Sequence, residues 1–174
     1  MVAPYWADPL SQAVTTAWAN NIVVVVAAGN GGSGAMSVGV PAYNPYVITV
    51  GAFTDNYTPN NWNDDYLTPF SAAGPTTDGF VKPDVVAPGA HMVSVMSPDS
   101  YLARHHQANQ ISNHYFSMAG TSQATAVVSG LAALVTARHP ELTPDQVKFR
   151  LMATAAPWID PSTCTPDNLS LIHI

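Results

Sequence analysis

The stretch VVVVAAGNGGSG, Val23 to Gly34, decides how the rest of the chain is read. A β-branched run that begins at Ile22 ends in Gly29-Asn30-Gly31-Gly32-Ser33-Gly34, which has the spacing G-x-G-x-x-G. Without polar alternation, Ile22 to Ala28 is expected to be a strand covered on both faces. The glycines then pose a choice between a phosphate-cradling loop and a turn that sets Asn30 at a strand end. A dinucleotide loop needs a helix opening directly on the glycines, because that helix supplies the free N–H groups and the dipole that hold a pyrophosphate. Residues 35 to 46, AMSVGVPAYNPY, carry Gly39, Pro41 and Pro45, which break any helix of useful length. Asp55 follows the next strand near the distance expected of a ribose-binding acid, but without the helix a nucleotide-dependent oxidoreductase is set aside.

The totals bound the remaining choices. A chain of 174 residues with 47% apolar and 9% charged residues has material for one domain with a hydrophobic core. Its formal net charge of −6 and its five scattered Lys and Arg residues argue against nucleic acid as a partner. No apolar run approaches a membrane span, so no membrane partner is expected. Cys164 is the single cysteine, which rules out an internal disulfide and a multi-cysteine zinc site.

Local signals place the elements. Asp8 followed by Pro9 reads as an N-cap and first helical residue, with Leu10, Ala13, Val14, Ala17 and Trp18 on one apolar face. Tyr46 to Phe53 and Asp84 to Ala87 read as further strands, and His91 to Met96 as a fourth. Residues 97 to 117 read as a long connection. From Thr121 the apolar spacing is helical until Pro140, and Thr143-Pro144-Asp145-Gln146 is a capping-box start to a helix that runs to about Ala155. Strands buried on both faces and interleaved with helices predict an α/β fold with a sheet sandwiched by helices.

A second signal lies in SMAGTSQATAVVSGLAALV, where Gly120-Thr121-Ser122 stands before the long helix. Serine at a helix start is a common cap, yet Ala119, Gly120, Ala124 and Ala126 leave this hydroxyl uncrowded. Together, VVVVAAGN, VPAYNPYVITVGAFTD, TPFSAAGP, KPDVVAPG and GTSQATAVVSG resemble, in order, segments of the subtilisin-like serine proteases, the subtilase family. The resemblance covers nearly all of residues 8 to 155. It implies a three-layer αβα fold with a mostly parallel sheet, incomplete at its N-terminal side. Residues 1–156 would be a partial catalytic domain, and 157–174 an irregular tail with no element to complete.

The same resemblance implies roles. Ser122 would be the nucleophile of an endopeptidase, attacking a scissile carbonyl to form an acyl-enzyme, and Asn30 would donate its side-chain amide to the oxyanion. Both roles follow the subtilisin examples by which such sites are generally described. Ala27, Ala28 and Gly29 would line one wall of the primary specificity pocket, and Val40–Pro41 would be a cis peptide. Polypeptides would be the substrates, and an extracellular location is expected.

Two departures matter. Ala126 stands where the family usually has proline. More seriously, the family's aspartate and histidine motifs precede the oxyanion asparagine, and no histidine lies among residues 1–29. His91, His105, His106, His114, His139 and His173 all follow Asn30, none in such a motif. The expectation is the C-terminal part of a subtilase catalytic domain, inactive on its own; the alternative is a non-catalytic peptide-binding module that keeps the cleft. No cofactor and no metal site are expected: His105, His106 and His114 read as a solvated loop. Calcium at Asp64-Asp65 is conceivable, but the regular spacing of a dedicated loop is missing there.

Overall fold

The computed structural model describes residues 3–157 and 172–173. Helix α1, Pro9–Ala19, starts where the Asp8 carboxylate accepts the Ser11 N–H at 2.8 Å, the cap that the sequence indicates. Strands β1 (Val25–Ala27), β2 (Ile48–Thr54), β3 (Tyr66–Leu67) and β4 (Val85–Pro88) follow. Beyond them come β5 (Met92–Val95), helix α2 (Tyr101–His105), β6 (Gln110–Ser112) and β7 (Tyr115–Met118). Helix α3, Thr121–Arg138, and helix α4, Pro144–Thr154, lead to the short strands β8 (Ala156–Pro157) and β9 (Ile172–His173). The capping box of α4 is present, with Thr143 and Gln146 bonded reciprocally.

The main sheet runs β1-β2-β4-β9-β8, with β3 antiparallel on the end of β2. The pairs β1–β2, β2–β4 and β4–β9 are parallel, so the α/β class with a mostly parallel sheet holds. Strand β2 is buried along its whole length. Ile48, Val50 and Ala52 join Val85 and Ala87 against Val128 and Ala132 of α3, Val147 and Leu151 of α4, and Trp18 of α1. On the opposite face Ala28, Val38, Ala42, Tyr43 and Ala72 form a smaller cluster covered by loop segments. Val40–Pro41 is cis, as expected from the resemblance.

Four features differ from the sequence reading. Strand β1 is only half-buried, not covered on both faces, because among the described residues it pairs with β2 alone. Strand β5 leaves the main sheet and pairs with β7 in a three-stranded antiparallel sheet, β5-β7-β6. Residues 97 to 117, read as a connection, hold α2, β6 and most of β7; their partners lie in β5, outside the reach of local pattern. In the tail, Ile172–His173 pairs with the free edge of β4, which supplies the element that the sequence did not reveal.

Buried charge fixes α4 to the sheet. Lys82 and Lys148 both contact the Asp84 carboxylate, at 2.6 and 3.1 Å, and both donate to the Val47 carbonyl at 2.9 Å. The Thr49 N–H completes the carboxylate's shell at 2.7 Å. Desolvation by burial outweighs the attraction of Asp84 and lowers the Lys82 ammonium from 10.5 to about 8. Asp84→Asn would leave two ammonium groups facing each other, and is expected to cost about 3–5 kcal/mol in denaturant unfolding. The pH dependence has a definite sign. Between pH 8 and 10.5 the unfolded chain keeps the Lys82 proton that the folded chain has released, so this residue's contribution to stability rises with pH. Wild type minus Lys82→Met, measured across that window, should increase; a flat difference would contradict the assignment.

Candidate active site

Parallel strands β1, β2 and β4 end on one side of the sheet, where open α/β folds bind ligands. The N-terminus of α3 comes down on that side and touches two strand ends. Toward β4, the Gly120 N–H donates to the Gly89 carbonyl at 2.7 Å. Toward β1, the Thr121 N–H and hydroxyl both donate to Asn30 Oδ1, at 2.9 and 3.0 Å. The buried Thr121 hydroxyl also accepts the Gly29 N–H at 3.3 Å.

These bonds orient the asparagine. A main-chain N–H can only donate, so the side-chain atom facing Thr121 must be the amide oxygen, and Nδ2 is directed away from it. Ser122 is the next residue. It is the second residue of α3 and not its cap, which is Gly120, so the simple capping role for this serine does not hold. Its side chain is exposed, and its hydroxyl has no hydrogen-bond partner among the described residues. The first-turn N–H groups of an 18-residue helix add positive potential at that point. Residues 30 and 122 are thus brought together across the fold.

The strand end beside them is shaped by small residues. Ala28 is 1% exposed within the smaller cluster, so only its main chain is available to a ligand, while Ala27 and Gly29 are half-buried. Gly29 has φ +114°, in the region that favours glycine, and its carbonyl accepts the Ala72 N–H at 2.9 Å. Among the described residues no histidine or aspartate bonds to Ser122. His139 lies 3.4 Å from Glu141, His105 stacks on Tyr101, and His91 pairs with Tyr57. Asp64 accepts the Thr58 hydroxyl at 2.7 and 2.8 Å. A groove of about 460 Å³, lined by Val23, Val25, Ala132 and Ala133, flanks β1 and stands apart from Ser122.

Sequence reasoning missed two residues that set this geometry. In the sequence Thr121 is marked only as a neighbour of Ser122, although it carries the bonds that hold Asn30. Gly89 closes the segment KPDVVAPG with nothing local to show its role. A Cβ there would lie 2.5 Å from Ala52 Cβ and 2.9 Å from the Gly120 carbonyl, so only glycine lets α3 approach β4 this closely. The local signal was a glycine directly after a strand; its partner is some thirty residues away.

The fold is similar to that of Sphericase, with TM-score 0.63 and 25% identity over 83% of this chain and 43% of that one. The Prenylagaramide maturation protease PagA gives TM-score 0.62 and 27% identity, over 92% of this chain and 48% of that one. The class is therefore the α/β fold of the subtilisins. A sequence model of the subtilase family matches residues 4–170, and the chain belongs to that family of serine peptidases. It is 44% identical to Serine protease AprX of Bacillus subtilis (strain 168), over 88% of this chain and 34% of that protein. It is 36% identical to Subtilisin DY of Bacillus licheniformis, over 87% and 46%. The chain thus spans from a third to just under half the length of these relatives.

Gly89→Ala is expected to force the end of β4 or the start of α3 to move. A loss of about 1–3 kcal/mol is expected by thermal melting; an unchanged melting temperature would refute the close approach.

Proposed function

We propose that this chain carries the nucleophile half of a serine endopeptidase site, with Ser122 forming the acyl-enzyme and Asn30 stabilising the oxyanion. The supporting observation is the pair of Thr121 bonds to Asn30 Oδ1, which hold a carboxamide with its N–H₂ end free beside an exposed serine at a helix N-terminus. A hydroxyl is protonated at neutral pH and needs a base to attack a carbonyl. Among the described residues no histidine or aspartate bonds to Ser122, and an aspartate and a histidine from elsewhere in a catalytic domain would perform that task. Triad members act as a unit, so the 174 residues alone should turn over no peptide. The attacking oxygen would bond to the carbonyl carbon, the carbonyl oxygen would gain charge beside Asn30 Nδ2, and the leaving amine would take the proton held by the base. Ala27, the Ala28 main chain and Gly29 would form one wall of the acyl-side pocket, their small size leaving room for a large substrate side chain. The chemistry calls for no cofactor, and secretion fits the subtilisin relatives; among the described residues no helix is long and apolar enough to cross a membrane.

The test joins this chain to the aspartate- and histidine-bearing N-terminal part of a subtilase domain and follows hydrolysis of a chromogenic peptide. Cleavage is expected, with Ser122→Ala abolishing it and Asn30→Ala lowering turnover by roughly 10²–10³. Cleavage that survives Ser122→Ala would refute the nucleophile. Peptide binding with no hydrolysis in the joined protein would favour the non-catalytic module.

A further inference from the structure

Asn30 is the only asparagine in the sequence that is followed directly by glycine. Asparagine is a thermolabile residue, because the next main-chain nitrogen can attack its carboxamide carbon and close a cyclic imide. A glycine in that next position removes the side chain that would hinder the attack. Both partners are available here. Asn30 and Gly31 are exposed, and the Gly31 N–H has no hydrogen-bond partner among the described residues. The amides on either side are engaged, Gly29 N–H with the Thr121 hydroxyl and Gly32 N–H with the Phe70 carbonyl at 2.8 Å. A Cβ on Gly31 would meet nothing within 4 Å, so the Asn30–Gly31 peptide has room to turn.

The contacts that orient the Asn30 carboxamide also activate it. When a nitrogen attacks Cγ, negative charge develops on Oδ1. That oxygen already accepts the Thr121 N–H and hydroxyl, at 2.9 and 3.0 Å, at the N-terminus of an 18-residue helix. Donors held in advance where charge develops lower the barrier to its formation, and the positive end of the helix acts in the same direction. We infer that Asn30-Gly31 is a self-modification site, at which Thr121 serves as an oxyanion hole for the chain's own carboxamide.

In the first step the bond from Gly31 N to Asn30 Cγ forms and the Cγ–Nδ2 bond breaks. The Gly31 amide proton passes to solvent, and Nδ2 takes up a solvent proton and leaves as ammonia. One water then opens the imide, at the side-chain carbonyl to give aspartate or at the main-chain carbonyl to give isoaspartate. An aspartate keeps one oxygen for both Thr121 bonds, now charge-assisted at a helix N-terminus, so the fold accepts it. Its second oxygen puts negative charge where Nδ2 offered a donor. Conversion therefore ends oxyanion stabilisation and acts as a built-in timer on the site. That consequence rests on the function proposed above; the modification itself does not.

The test incubates the 174-residue chain in mildly alkaline buffer, with and without urea, and follows each asparagine by peptide mapping and mass spectrometry. Conversion at Asn30 should outrun that at every other asparagine and be about fivefold faster in buffer than in urea, the effect of at least one net hydrogen bond. Thr121→Val, which deletes one donor to Oδ1, should slow it about fivefold in buffer and leave the rate in urea unchanged. Equal or faster conversion in urea, another asparagine reacting first, or a Thr121→Val rate equal to wild type in buffer would each overturn the inference. In the joined protein, turnover should fall in step with conversion at Asn30. Conversion that leaves turnover intact refutes the oxyanion role of Asn30 alone, and turnover beside an Asn30 that never converts refutes the modification alone.

Discussion

Two hydrogen bonds from Thr121 to the Asn30 carboxamide oxygen join residues ninety-one positions apart, and the candidate site has no geometry without them. The asparagine follows a strand and two residues of turn, where an unsupported side chain would sample several rotamers. Fixing its oxygen with two donors from the first residue of a rigid helix removes that freedom before any substrate arrives. Preorganisation of this kind is what makes a dipole useful to a developing charge, since no reorganisation is then needed during reaction. The same threonine hydroxyl accepts the Gly29 N–H, so the strand end and the helix start are tied together as one piece.

Helix α3 reaches that position because β4 ends in Gly89. Its missing side chain lets the Gly120 segment descend onto the strand, and the 2.7 Å bond between the two glycines sets the height of the helix above the sheet. At the opposite end of the strands, the Asp84 carboxylate and its two lysines anchor α4, which packs on α3. Position at the functional end thus depends on close backbone approach, and position at the other on buried charge. Both constraints are long-range in sequence.

That division explains what the amino-acid sequence discloses. Asp8, Thr143 and Gln146 announce helix starts because a cap is a contact across three residues, and β2 is evident because seven consecutive residues are buried. The half-burial of β1 and the departure of β5 to a second sheet depend on which strand lies next to which, and no local pattern carries that information. Residues 97 to 117 look like a loop because the strands within them are three and four residues long. At the site, Asn30 and Ser122 stand out only through the order of motifs they share with the subtilases. Thr121 and Gly89 acquire meaning only once the helix and strand ends meet.

The central claim is convergence of the Asn30 amide with the Ser122 hydroxyl on one point. The most direct measurement is a crystal structure of the joined protein with a peptide boronic acid. The expected result is a bond from boron to Ser122 Oγ and a boronate oxygen at about 2.7–3.1 Å from Asn30 Nδ2. A boronate bound elsewhere, or an adduct at Ser122 with the Asn30 amide turned away from it, would contradict the claim.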